Sequence, residues 1–216
     1  NTNKNSLVSL MYVNNELGTV HPITEIASLC TESNAVFHSD TVQALGLLDI
    51  NVNELKIDCI IGSAHKFNGP KGVGFIYLKD PSSVKPLIFG GSQERNFRAG
   101  TENLVGIVGM VKALELAISQ KEERLKKLHL LRDKLIAGLN SLPYPIEFNS
   151  PDTLCSPKIL NVYLKEGKST DWLLMNLDIE GISVSGGSAC SSGTEKTSHV
   201  IEIIRKGFLG RSVRFS

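Results

Sequence analysis

Apolar residues along the chain fall into two rhythms, short unbroken runs and long stretches at helical spacing. Leu7 to Val13 reads as a buried strand, and Ile23, Ile26, Ala27, Leu29 and Cys30 trace a short helix from Ile23 to Thr31. Ala35-Val36-Phe37, Cys59-Ile60-Ile61 and Val73-Gly74-Phe75-Ile76-Tyr77-Leu78 are further strand runs. From Thr101 to Leu142 apolar positions recur at helical spacing through Leu104, Ile107, Val108, Val111, Leu114, Ile118, Leu125, Leu128, Leu135 and Leu139. At about 1.5 Å per residue such a helix is roughly 60 Å long, too long for one small domain. The pattern therefore predicts a bridge between two domains, kinked near Gln120.

After Pro143 the pattern changes. Ile146-Glu147-Phe148 and Ile159 to Leu164 read as strands, and Asp171 to Leu177 as a helix capped by Ser169 or Thr170. Ile182 to Ser185 reads as a short strand, Ser198 as the cap of a helix through Val200, Ile201, Ile203 and Ile204, and Val213 as the centre of a last strand. Strands alternating with helices predict an α/β first domain with a mainly parallel sheet over residues 1–120, followed by a smaller α+β domain over 121–216. Internal repeats and low-complexity segments are absent.

Two strand ends carry candidate chemistry. Lys66, in Ser63-Ala64-His65-Lys66-Phe67-Asn68-Gly69-Pro70, follows one apolar strand and precedes a glycine-bearing turn. Open α/β sheets bind ligands at the carboxyl ends of their strands. A lysine there, partly desolvated, is suited to hold a carbonyl; taken alone, it reads first as a solvated loop residue. Asp40, in His38-Ser39-Asp40-Thr41-Val42-Gln43, follows the preceding strand. It can pair with a protonated pyridine nitrogen, the recurrent partner of a pyridoxal-phosphate lysine, or cap the residues after it. Read as metal ligands, His38 and Asp40 lack any Cys or His pair at zinc spacing.

These blocks, taken together, resemble the cysteine desulfurases of the NifS/IscS type, within the class-V aminotransferase-like enzymes. The resemblance runs from near Val8 to Ser216. It is carried by Asn14-Asn15-Glu16-Leu17-Gly18-Thr19, His38-Ser39-Asp40 with Gln43, and Ser63-Ala64-His65-Lys66. Gly90 to Arg95, Arg98 to Asn103 and Gly187-Ser188-Ala189-Cys190-Ser191-Ser192-Gly193 extend it in order. It implies pyridoxal-phosphate fold type I, a homodimer, and conversion of L-cysteine to L-alanine. The sulfur would be kept on Cys190 as a persulfide, for an iron–sulfur scaffold or another sulfur-carrier protein.

By the same resemblance Lys66 is the Schiff-base lysine and Asp40 the partner of the pyridine nitrogen. Gln43 and Asn15 lie near the phenolic oxygen, and Asn15 also near the substrate carboxylate. Ser63 and His65 bind the phosphate, and Thr101 reaches the phosphate of the neighbouring subunit. Arg214 clamps the substrate carboxylate, for which a guanidinium fork is well matched. Family members run to roughly twice this length. The resemblance thus implies that part of the first domain lies before Asn1 and a final helix after Ser216. A selenocysteine lyase sharing the same site, and a catalytically incomplete chain acting as a binding partner, remain the alternatives.

Composition narrows the classes further. The 216 residues are 41% hydrophobic and 21% charged with a net charge of +1, an ordinary soluble balance without a nucleic-acid or membrane-surface footprint. No apolar run reaches membrane-spanning length and no signal peptide opens the sequence, so the expected setting is cytoplasmic, or the mitochondrial matrix in a eukaryote. Four cysteines without a close pair fit a reducing compartment. Cys30 and Cys59 read as small buried hydrophobes. Cys155 falls in a turn with no basic neighbour beyond Lys158, whereas Cys190 sits among small residues that leave its sulfur accessible.

Overall fold

A computed structural model describes residues 6–165, 170–186, 198–206 and 211–216. Its contacts divide the chain into two compact units, Asn1–Tyr12 with Pro22–Lys121, and Val13–His21 with Glu122–Ser216. The second unit thus draws in a short segment from early in the chain.

The first unit is built on strands β1 (Leu7–Met11), β2 (Val36–Asp40), β3 (Cys59–Ser63) and β4 (Gly74–Leu78), hydrogen-bonded in that order. β1, β2 and β3 run parallel and β4 returns antiparallel to β3. The sheet is therefore mainly parallel, as the alternation of elements predicts. Helix α1 (Ile23–Glu32) makes the crossover from β1 to β2 and buries Ile23, Ala27 and Cys30 at i, i+4 and i+7. These pack against Phe37, Ile57 and Ile60. Asn34 at φ 52 ends the helix, and the Ala35 N–H returns to the Cys30 carbonyl.

β1 departs from the buried strand the sequence predicts. It lies at the end of the strand order and Leu7 is 65% exposed. An unbroken apolar run does not distinguish a central strand from an edge one, because neighbours rather than residues decide it.

The long helical stretch is two helices. α2 (Leu104–Ser119) starts at Asn103, whose side chain accepts from the Gly106 N–H, and stops at Gln120. α3 (Lys121–Asn140) follows at once. The break falls where the kink is expected, and the boundary between units lies one residue later. In the first unit α2 sets Met110, Ala113, Leu114 and Ala117 against Ala64 and Phe67. Gly109 permits a close approach to Pro70, from which a Cβ there would stand only 2.7 Å.

In the second unit β5 (Ile146–Phe148), β6 (Leu160–Leu164) and β7 (Arg211–Phe215) form an antiparallel sheet in that order. β6 is central, and Leu160, Asn161, Val162 and Tyr163 are all buried, so both its faces are covered. Helix α4 (Thr170–Ile179) and the short α5 (His199–Ile204) complete the described elements. Ser198 caps α5 as expected, accepting from the Val200 and Ile201 N–H groups. Thr170 opens α4 as its first residue, and the alternative cap Ser169 lies outside the described residues. Ile182–Ser185 is not a strand; Ser185 alone makes a bridge to Arg214. No helix among the described residues is long and apolar enough to cross a membrane.

Candidate active site

The first unit gathers the candidate cofactor residues at the carboxyl ends of two adjacent parallel strands. Asp40 is the last residue of β2 and is paired in register with Ile61 of β3, two residues before Ser63. Thr41, fully buried, locks this end by donating to the Ile61 carbonyl from both its N–H, at 3.2 Å, and its Oγ1, at 2.7 Å. Asp40 Oδ1 accepts from the Val42 N–H at 2.9 Å. One carboxylate oxygen therefore caps the turn that carries Gln43, and that turn leaves Gln43 half-buried. A capping role and a ligand-facing role are compatible for the two oxygens of one carboxylate.

Lys66 lies on the 3₁₀ turn Ala64–Phe67 that directly follows β3. The turn alternates in burial. Ala64 and Phe67 are sunk into the cluster with Ala117, His65 is exposed and Lys66 is half-buried. Packing of the two apolar residues thus fixes the backbone from which the polar ones project. Asn68 in the left-handed region, at φ 65, closes the turn. Ser63 Oγ and His65 Nδ1 are 2.8 Å apart. Thr101 is exposed, two residues ahead of the Asn103 cap.

Pyridoxal phosphate presents an aldehyde, a ring nitrogen and a phosphate. The donor set here matches it: an amine at Lys66, a carboxylate at Asp40, and a hydroxyl and imidazole at Ser63 and His65.

The second unit holds the candidate carboxylate-binding residues. Arg214, on β7 and 8% exposed, donates from Nη1 to the Asn15 carbonyl at 3.0 Å. The structure thus brings Asn15 and Arg214 into direct contact. Three more carbonyls of that loop are bonded in succession. Glu16 O accepts from Asn161 Nδ2 at 3.2 Å, Leu17 O from Cys155 Sγ at 3.6 Å, and Gly18 O from the Ser156 N–H at 2.8 Å. Glu16 itself is 3% exposed, and its Oε2 has no hydrogen-bond partner among the described residues.

Of the four cysteines, Cys190 lies outside the described residues. Burial, with the Asp58 carboxylate adding to it, pushes the thiols of Cys30 and Cys59 up from their ordinary range. Burial also raises Cys155, although the Arg132 guanidinium beside it acts in the opposite direction. Arg132 is the basic neighbour that the sequence does not place there. It arrives from α3, twenty-three positions earlier. Burial thus disfavours the thiolate at all three.

Sequence reasoning also passes over Asn161 and Thr41. A signal for Asn161 exists, because it is the one polar residue in the apolar run Ile159 to Leu164. Thr41 has none, since its buried role depends on which strand lies beside β2.

Comparison with known proteins places the chain among relatives. The aminotransferase class-V family model matches residues 2–214. A cysteine desulfurase IscS of Dictyoglomus turgidum is 44% identical over 92% of this chain and 50% of its own length. Among solved structures a NifS-like protein is 34% identical with a TM-score of 0.87, over 98% of this chain and 55% of the other. A structure of SspA in complex with cysteine is 33% identical with a TM-score of 0.76, over 98% of this chain and 58% of the other. The chain spans about half the length of the curated relatives it matches. Strand ends bearing Asp40 and Lys66, and a family model matched along nearly the whole sequence, lead to one assignment: the chain belongs to the class-V aminotransferase family, whose cysteine desulfurases are pyridoxal-phosphate enzymes of fold type I.

Proposed function

We propose that this chain carries the central chemistry of a cysteine desulfurase, converting L-cysteine to L-alanine and keeping the sulfur on Cys190 as a persulfide. The observation that carries the reading is the arrangement at the ends of β2 and β3, where Asp40 closes β2 and Lys66 lies on the turn after the neighbouring parallel strand β3, beside the bonded pair Ser63 and His65. The 33%-identical SspA, solved in complex with cysteine, supports the substrate.

When bound, pyridoxal phosphate supplies a pyridinium ring that accepts electron density from the substrate's α-carbon. Lys66 Nζ would hold the cofactor's aldehyde and would serve as the base for the substrate's α-proton. Asp40 keeps the ring nitrogen protonated, and Gln43 and Asn15 flank the phenolic oxygen. Ser63 and His65 hold the phosphate, joined by Thr101 of the neighbouring subunit. Arg214 and Asn15 hold the substrate carboxylate.

Cys190, as the thiolate, attacks the substrate sulfur. A sulfur–sulfur bond forms as the carbon–sulfur bond breaks, and the electron pair remains with the carbon skeleton, which leaves as alanine after protonation. The raised thiols of Cys30, Cys59 and Cys155 support Cys190 as the attacking sulfur, because only a thiolate attacks efficiently. An iron–sulfur scaffold or sulfur-carrier protein then receives the persulfide sulfur. A homodimer is supported by apolar residues exposed on the first unit, among them Leu87, Phe89, Leu104, Val105 and Val108.

The test adds pyridoxal phosphate, then L-cysteine, to the purified protein. A visible absorption band, release of alanine and one extra sulfur on Cys190 by mass spectrometry are expected. Absence of the band, or sulfur located on Cys30, Cys59 or Cys155, would overturn the assignment.

A further inference from the structure

We infer that Asn161 is a positioning residue for the substrate-carboxylate end of the site, a buried amide that sets Asn15 against Arg214 without itself touching substrate. The inference rests on the reading of Asn15 and Arg214 as the carboxylate-binding pair.

Asn161 is 1% exposed in the middle of an otherwise apolar strand. A buried amide is tolerated only when its hydrogen bonds are made, and here both ends are engaged. Nδ2 donates to the Glu16 carbonyl at 3.2 Å and Oδ1 accepts from Asn149 Nδ2 at 2.8 Å. Asn149 is held in turn, with Nδ2 2.9 Å from Ser212 Oγ and Oδ1 accepting from Arg205 Nε at 2.6 Å.

The relay has one direction. Arg205 can only donate, so Asn149 must offer it oxygen and turn its amino group toward Asn161. Asn161 must then offer oxygen to Asn149 and turn its own amino group to Glu16 O, which can only accept. Neither amide can flip without leaving two like groups facing each other. Arg205 is anchored by the Glu147 carboxylate and lies 4.2 Å from the Tyr163 ring centroid.

The register completes the argument. Asn161 and Arg214 are direct cross-strand partners in β6 and β7, and so project from the same face of the sheet. They donate to the consecutive carbonyls of Glu16 and Asn15. A peptide gripped at two successive oxygens from one rigid sheet cannot rotate, and this fixes where Asn15 begins relative to the guanidinium. Placement by a supporting residue of this kind governs affinity for the group being recognised.

The test uses the full-length protein loaded with pyridoxal phosphate and follows binding by the absorbance change. The probes are L-alanine and ethylamine, which is the same amine without the carboxylate. Asn161→Asp, which swaps the donor for an acceptor, should raise the Kd for L-alanine about tenfold and leave that for ethylamine within about twofold. Asn161→Ser, the milder change, should move the same ratio in the same direction, and it decides alone if the aspartate variant does not fold. Equal losses for both probes, or an unchanged ratio in folded variants, would overturn the inference. Arg214→Ala separates the two claims. If it removes the preference for L-alanine while the Asn161 variants keep it, only the positioning role falls. If it too keeps the preference, the carboxylate reading falls and the inference with it.

Discussion

Ser63 Oγ and His65 Nδ1 meet at 2.8 Å, tying the last residue of β3 to the turn that carries Lys66. The bond orients the imidazole and fixes the hydroxyl beside it, so the two groups proposed to bind the phosphate are held together. Ser63→Ala should therefore weaken pyridoxal phosphate more than pyridoxal. One charge-assisted hydrogen bond is worth about 1.5–3 kcal/mol, roughly one to two powers of ten in Kd. Fluorescence titration with both compounds measures it, and an unchanged preference for the phosphorylated one would remove Ser63 from the phosphate site.

Lys66→Ala should abolish the covalent, borohydride-reducible attachment of the cofactor and alanine release together. Ala64 and Phe67, which hold the turn in place, are untouched by the change, so the fold should persist. Mass spectrometry after reduction reads the attachment directly. A cofactor adduct retained on any other lysine contradicts the assignment.

Gly74→Ala should disrupt the pairing of β4 with β3. An added Cβ would stand 2.4 Å from the Gly62 carbonyl oxygen, a backbone atom that cannot turn aside. Overpacking of this kind costs about 1–3 kcal/mol. Because Gly74 pairs with Ser63, loss of cofactor affinity should accompany the loss of stability. Denaturant unfolding and cofactor titration test both, and a variant with wild-type values in each would show that the sheet yields more readily than this packing implies.

Acid should weaken the second unit through Glu147. Hydrogen bonding to Lys165, then to Arg205, holds its carboxyl below the usual carboxylate range. A depressed carboxyl contributes stability that is full above its unfolded pKa of about 4.3 and is lost as pH falls through the folded value. The stability difference between the natural protein and Glu147→Gln should accordingly be constant near neutrality and shrink toward zero under acid. Urea unfolding across pH 2–7 follows it; a difference that grows on acidification has the wrong sign for this pair.

Much of this was readable from residues alone, and the limits have physical causes. The strand ends bearing Asp40 and Lys66 were legible because apolar runs stop sharply there, and the break at Gln120 because a single helix would be too long. Exposure of β1 was not, since an edge strand and a central one share the same apolar run. Arg132 beside Cys155 and Asn161 beneath Glu16 were hidden for another reason. Each joins residues far apart in sequence, and no local pattern encodes such a meeting.

Separation along the chain also bears on when this protein becomes competent. The Asn15–Gly18 loop interrupts the first unit between β1 and α1, yet its carbonyls are bonded by partners far later in the sequence. Asn161 lies 145 positions from Glu16 and Arg214 lies 199 from Asn15. Contacts so remote form late, because the intervening chain must be ordered before they can close. During synthesis the loop emerges well before Asn161 and Arg214 and must wait, solvated, until both have followed it. Neither unit is a severable module. A polypeptide of residues 122–216 would keep the donors of Arg214, Asn161 and Ser156 but lack the strip of backbone they were shaped to hold.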